Sequence, residues 1–104
     1  MSVTEHNIVD SIAVDGSRLI LLISDHLSWD EEYDHLLELQ AKLNAYILFC
    51  EREQYRNVYP DAQIRSATIE IHFLYEPTST AIEFLSQVQL QLCADGITIE
   101  CHMS

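Results

Sequence analysis

Two short segments with the same alternating pattern constrain the fold of this chain more than any other feature. They are ATIEIHF at residues 67–73 and ITIECHM at residues 97–103. In each, apolar residues occupy every second position, which is the period of a β-strand with one buried face. Both contain T-I-E-x-H, so we expect the Thr, Glu and His side chains of each strand to lie on the face away from the core.

Helical periodicity precedes each of these two strands. Between residues 29 and 55 the apolar residues recur at three- and four-residue intervals, and a shorter stripe follows residue 80. The motifs SWDE at residues 28–31 and TAIE at residues 80–83 both fit the capping box that begins a helix. Gly96 follows the second stripe, at the position where a left-handed residue ends a helix. We therefore predict one helix over residues 29–55 and a second between residue 80 and Gly96.

The N-terminal part predicts a β-hairpin. Residues 7–14 and 18–23 have the composition of strands, and Asp15–Gly16 between them is typical of a type I′ turn, in which both central residues have positive φ. A helix between two strands returns the chain across the sheet, so the strands on either side of it run parallel. The predicted fold is α+β: a two-layer α/β sandwich of order β-β-α-β-α-β, with an N-terminal hairpin and two helices on one face of a four-stranded mixed sheet. Residues 1–104 are expected to form a single domain.

Charge narrows the classes of partner. Five basic and seventeen acidic residues give a net charge of −12. Nucleic acids and anionic membranes are bound through clusters of Lys and Arg, so no nucleic-acid partner and no membrane partner is predicted. An acidic surface favours a basic protein partner, although acidity that serves only solubility gives the same composition.

Cysteine content and the N-terminal sequence bear on the compartment. The sequence has three cysteines, an odd number, and no two of them are spaced as CxxC. This argues against a disulfide framework and against a zinc ribbon. The first ten residues lack the basic and apolar regions of a signal peptide, and no segment approaches the about 18 apolar residues of a membrane span. We expect a cytoplasmic protein.

The densest group of polar residues is SDHLSWDEEYDH at residues 24–35. Asp25 and His26 follow a predicted strand, at the edge of the sheet where α/β proteins bind ligands. With Trp29 and His35 they are the candidate ligand pocket. The alternative, which we favour, is that these residues only begin a helix, with Asp25 and His26 bonding the backbone of the turn.

The repeated strands supply a second candidate site. If they are neighbours, Glu70, His72, Glu100 and His102 converge on the open side of the sheet. Two imidazoles and two carboxylates are suitable ligands for a divalent metal. A solvated sheet face commonly carries the same residue types, so no metal and no other cofactor is predicted.

The second strand, RLILLI, predicts an interface because its apolar residues point to both faces of the sheet. One set of alternate residues must face away from the helices. This set is either Ile20 and Leu22, or Leu19, Leu21 and Ile23. Exposed apolar surface of this kind marks a contact with another molecule. We expect a homodimer with Ile20 and Leu22 at its interface, formed sheet to sheet or through the hairpin edge. The alternative is that residues 57–65 or the N-terminus cover this surface.

Motifs for common enzymatic chemistry are absent from the sequence. It contains no Gly-rich phosphate loop, no G-x-S-x-G and no HExxH. The calcium-loop pattern fails because Asp30 stands where Gly is required. Cys101 and His102 point to opposite faces of one strand, which excludes them as a catalytic pair. No catalytic residue is predicted, and an enzyme is the less favoured class.

Four segments in order resemble a family of short bacterial proteins catalogued only as a domain of unknown function: ISDHLSW, HLLELQAKLNAYILFCE, YPDA and IEIHFLYEPTSTAIEFL. The resemblance implies one compact α/β domain and brings no activity or site residue. The favoured function is a non-enzymatic protein-interaction module, which either self-associates or binds a basic partner as immunity and inhibitor proteins do. The alternative is a small ligand- or metal-binding protein, or an enzyme, with its pocket near Asp25 and His26.

Overall fold

The computed structural model describes residues 11–103, and its elements follow the predicted order β-β-α-β-α-β. Short 3₁₀ turns follow each helix. The part of the first predicted strand before residue 11 lies outside the described residues. The elements are β1 Ser11–Asp15, β2 Arg18–Asp25, α1 Glu32–Glu51, β3 Ser66–Phe73, α2 Ser79–Leu92 and β4 Ile97–Met103.

The four strands form one mixed sheet in the order β1-β2-β3-β4. β1 and β2 are antiparallel, whereas β2, β3 and β4 are parallel to one another. Each crossover moves the chain one strand further in the same direction, so right-handed crossovers place both helices on one face. The predicted fold class is confirmed, and β4 occupies the edge of the sheet opposite the hairpin.

The core lies between the sheet and the two helices. In β2 every second residue is fully buried, and the alternating apolar residues of β3 continue the same layer. α1 covers this layer with a long apolar stripe, and α2 covers it with a shorter one. The core residues that define the contact are Leu19, Leu21, Ile23, Ile69, Ile71, Leu39, Leu43, Tyr46, Leu85 and Leu92.

The opposite side of the sheet, here called the open face, carries the alternate residues of the same strands. Of the two arrangements considered for β2, the structure has Ile20 and Leu22 on this face, where both are half-buried. In β3 and β4 the open face carries Glu70 and His72 and the residues paired with them. The prediction that Ile20 and Leu22 lie at a homodimer interface remains a prediction.

The hairpin turn differs from the expected type I′ turn. Asp15 pairs with Arg18, so the two central residues are Gly16 and Ser17. Only Gly16 has a positive φ, of 64°. A glycine at the first central position is typical of a type II′ turn. The twist of this turn matches that of the two strands as well as the twist of a type I′ turn does.

Both predicted capping boxes are wrong. α1 begins at Glu32 with Glu31 as its N-cap, and no side chain caps it. The Ser28 hydroxyl instead donates to Asp30, and the carbonyl of Ser28 is bound by a histidine ring described below. α2 begins earlier than predicted, because the Thr78 hydroxyl accepts a hydrogen bond from the Ala81 amide at 3.1 Å.

The first helix is also shorter than predicted. It ends at Glu51, and Glu53 then takes a left-handed conformation with φ of 53° before a 3₁₀ turn at Gln54–Asn57. None of the helices in the described part of the chain is both long and apolar enough to cross a membrane.

The two glycines allow a matched test of backbone strain. Both have positive φ, but a Cβ at Gly16 would meet nothing within 4 Å, whereas one at Gly96 would lie 3.3 Å from the carbonyl oxygen of Arg65. We expect Gly16→Ala to lower the free energy of unfolding by about 1 kcal/mol through conformational strain alone. Gly96→Ala should cost about 2 kcal/mol or more, because main-chain atoms must also move. Urea denaturation measures both values, and equal losses would contradict the close approach at Gly96.

Candidate functional site

Asp25 ends β2 at the carboxyl edge of the parallel strands, and its side chain is fully buried. One carboxylate oxygen accepts a hydrogen bond from the Leu27 amide at 3.1 Å. The main-chain carbonyl of Asp25 accepts from the amide of Leu74, just beyond β3. Asp25 therefore joins the ends of two neighbouring strands to the loop that leads into α1.

His35 lies in the first turn of α1 and pairs with Asp25. Its Nε2 is 2.6 and 2.7 Å from the two carboxylate oxygens, and the side chain is 1 % exposed. Its Nδ1 donates to the carbonyl of Ser28 at 3.1 Å. Nδ1 faces a main-chain carbonyl and Nε2 faces the Asp25 carboxylate, so both ring nitrogens are engaged in hydrogen bonds. These two contacts fix the orientation of the ring.

Trp29 closes this cluster from the outside. Its indole stacks on the His35 ring with 3.6 Å between ring centroids and 23° between ring planes. The indole N–H donates to the carbonyl of Tyr75 at 3.3 Å. The aromatic ring excludes water from the buried pair, which strengthens the hydrogen bonds inside it.

The structure thus brings together three of the four residues predicted to form a ligand pocket. Asp25, Trp29 and His35 are in contact, whereas His26 is exposed and takes no part in their contacts. A buried imidazole with both nitrogens engaged has no free lone pair or proton for a solute. The geometry therefore favours a structural role, in which the cluster ties the end of β2 to the start of α1.

A shallow pocket of about 340 Å³ lies beside this cluster. Three carboxylates line it, so its chemistry favours cationic groups over anionic ones. His35 is among the residues that line the pocket, whereas His26 is not. Its lining residues are Leu27, Ser28, Glu31, Asp34, His35 and Glu38.

The second predicted cluster lies on the open face, where β3 and β4 pair without offset. Glu70 stands opposite Glu100, and His72 stands opposite His102. The two imidazole rings stack with 4.8 Å between centroids. His72 Nε2 is 3.2 Å from Glu70 Oε1, and His102 Nε2 is 3.2 Å from Glu100 Oε1 and 4.0 Å from Glu70 Oε1. The four residues predicted as metal ligands are therefore neighbours in space.

Cys50 and Cys101 are not activated as nucleophiles. All three are free thiols. Burial, together with the nearby Glu51 carboxylate, raises the pKa of Cys50 to about 11. Partial burial also raises the pKa of the Cys101 thiol. A raised pKa keeps a thiol protonated, and the protonated form is a poor nucleophile.

Two polar side chains with contacts inside the protein were missed in the sequence. Lys42 is fully buried in α1, with its ammonium 5.3 Å from the centroid of the Tyr46 ring. The Gln89 side chain of α2 donates to the carbonyl of Ile97 and accepts from the amide of Ile99. Lys42 lies three residues after Leu39 and therefore on the same side of α1 as the core stripe. This spacing was the signal for its burial, and it was overlooked because Lys42 is charged. No pattern in the sequence announces the contacts of Gln89, because they depend on how α2 packs against β4.

Comparison with known proteins identifies a family. The model of a family described as a family of unknown function, DUF6572, covers residues 1–104. No curated protein matches the chain significantly. No solved structure matches it significantly either.

The Asp25–His35 pair predicts a large loss of stability when either partner is removed. Asp25→Ala and His35→Ala should each lower the free energy of unfolding by about 3–5 kcal/mol, because each leaves a buried polar group without its partner. Urea denaturation measures the loss. The matched control His26→Ala, at an exposed position, should stay within about 0.5 kcal/mol of the parent. An Asp25→Ala variant as stable as this control would contradict the structural role of the pair.

The raised pKa of Cys50 predicts slow alkylation. At pH 8 only about a thousandth of the Cys50 thiol is ionised, so iodoacetamide should modify exposed Cys93 well before Cys50. The Cys50 rate should rise about tenfold per pH unit up to about pH 11, as the thiolate fraction grows. Peptide mapping by mass spectrometry measures the rates, with urea-unfolded protein as the control. Equal rates in the folded protein would contradict the burial of Cys50.

Proposed function

The chain belongs to DUF6572, a family of unknown function, and we propose that it is a non-enzymatic protein-interaction module that associates with a second copy of itself. The surface that supports this proposal consists of the exposed side of α2 and the free edge of β4. We call it the α2–β4 face. It contains Ile82, Ser86, Gln89, Leu90, Cys101 and Met103.

Exposed apolar side chains concentrate on this face. Leu90 is 70 % exposed, Met103 56 % and Ile82 44 %. A groove of about 350 Å³ runs between α2 and the β4 edge, from Ile82 to Cys101, and its lining is mostly apolar. Contiguous apolar surface of this kind typically lies at an interface.

The distribution of charge favours a second copy as the occupant. The 14 residues of α2 contain one charged side chain, Glu83. The seven residues of β4 contain one carboxylate, Glu100, and one histidine, His102. α1, by contrast, carries four carboxylates and one lysine. Two copies that each carry −12 repel one another, so they approach most easily through a surface almost free of charge.

The free edge of β4 supplies the hydrogen-bonding groups for such an association. The carbonyl of Gly96 accepts a hydrogen bond from the amide of Ala67 in β3. Because backbone groups alternate in direction along a strand, the amide and carbonyl of every second residue beginning with Ile97 point away from the sheet. Gln89 occupies the first of these groups, at Ile97 and Ile99. The groups at Cys101 and Met103 remain for the β4 strand of a second copy, which would pair antiparallel about a twofold axis.

The other surfaces considered from the sequence have less support. Ile20 and Leu22 on the open face are only half-buried neighbours of Glu70, so a sheet-to-sheet dimer would bring the carboxylates of two copies together. Binding of a basic partner rests on the net charge alone. A ligand pocket near Asp25 and His26 is weakened by the engagement of both nitrogens of His35.

Light scattering after size-exclusion chromatography tests the proposal. The parent should elute with twice the 12.0 kDa of one chain. Leu90→Glu should elute as a single chain, because it places a like charge on each side of the contact. The matched control Tyr33→Glu, at a 73 % exposed position on α1, should remain a dimer.

Two results would contradict this assignment. The first is a parent protein that is monomeric at all accessible concentrations. The second is a Leu90→Glu variant that remains a dimer and that dissociates when Leu22→Ser is added. That result would place the interface on the open face.

A further inference from the structure

We propose that Glu70, His72, Glu100 and His102 form a binding site for one divalent transition-metal ion, with Zn²⁺ as the ion that the ligand set fits best. The four side chains lie on the open face, whereas the groove of the α2–β4 face lies on the helix side of β4. All four residues belong to one chain, so the proposal does not rest on the proposed self-association.

The first support is the register of the two strands. β3 and β4 pair in parallel without offset, and their sequences repeat T-I-E-x-H, so each side chain faces one of its own kind. Glu70 opposite Glu100 is a pair of like charges on adjacent strands, which destabilises a sheet. A cation between the strands would remove this repulsion, and the two imidazoles beside the carboxylates are suited to hold it.

The second support is distance. One ligand atom each from Glu70, His72 and His102 can be chosen so that the three lie within 4.8 Å of one another. Nε2 of His72 and Oε1 of Glu70 are 3.2 Å apart. If a zinc ion lay at its usual distance of about 2.0–2.1 Å from both atoms, the angle between its two bonds would be about 100°, close to the tetrahedral value. His102 must turn slightly, because its Nε2 is 4.0 Å from the same oxygen.

Glu100 completes the set. Its Oε1 is 3.2 Å from Nε2 of His102, the same separation as in the Glu70–His72 pair. Two imidazole nitrogens and two carboxylate oxygens make four ligands, and a Glu100 that stays unbound leaves the fourth position to water. A metal ion bound at Nε2 takes the place of the hydrogen bond that this nitrogen makes with its carboxylate.

The chemistry of the ligands selects the class of ion. Mg²⁺ and Ca²⁺ prefer oxygen ligands alone, whereas Zn²⁺ and its neighbours in the first transition row bind imidazole readily. Two carboxylates balance the charge of one divalent ion, so the bound site is neutral. The side chains of Glu70, His72, Glu100 and His102 are between 27 % and 42 % exposed, which leaves a path for the ion to enter.

Calorimetric titration of the tag-free protein with Zn²⁺ tests the proposal. We expect one ion per chain. His72→Ala and His102→Ala should each weaken binding by at least about tenfold, because loss of even an indirect partner of a metal ligand costs that much. Two controls should bind as the parent does: His26→Ala, which removes an exposed histidine elsewhere, and Cys93→Ser/Cys101→Ser, which removes the exposed thiols.

A second measurement locates the ion without relying on variants. Added Co²⁺ should broaden the NMR signals of the His72 and His102 rings before those of His26. Thermal unfolding without metal should be the same for the parent and the histidine variants, since both rings are partly exposed. The proposal is overturned by unchanged Zn²⁺ affinity in a His72→Ala/His102→Ala variant, by loss of binding in the cysteine variant, or by half an ion per chain.

Discussion

The parallel pairing of β2, β3 and β4 beneath a single layer of helices is the constraint on which the rest of this structure depends. Strand residues alternate between two faces, so covering one face with α1 and α2 commits every second residue of β2 and β3, together with Ile97 of β4, to the core. The remaining residues must lie on the open face, whatever their chemistry. For Ile20 this exposes apolar surface, and for His72 and His102 it places two imidazoles side by side.

Topology also bears on the proposed self-association. Because β4 is the last strand of the sheet, one row of its backbone groups has no neighbouring strand in the described part of the chain. Gln89 satisfies part of that row and so limits where a further strand could pair. Charge acts in the same direction, since the acidic residues of α1 keep copies apart while α2 and β4 carry few charges. Edge and charge together support self-association at one end of the sheet.

The sequence predicts the sheet well because alternation is a local pattern, and β3 and β4 were found from it with nearly their observed bounds. It predicts helix ends poorly, because competing contacts decide them. Ser28 fits a capping box, yet its carbonyl is bound by His35, and α1 begins later. The Asp25–His35 pair joins a strand end to a helix turn ten residues away, so both residues were named as candidates but their direct contact was not.

One measurement tests the single-layer arrangement most directly: through-space NMR contacts of the His72 ring. The structure predicts a strong contact with the ring of His102, because their centroids are 4.8 Å apart, and no contact with the methyl groups of Leu43 or Leu85 in the helices. Contacts from His72 to either of those leucines, or the absence of a contact with His102, would contradict the account of the open face.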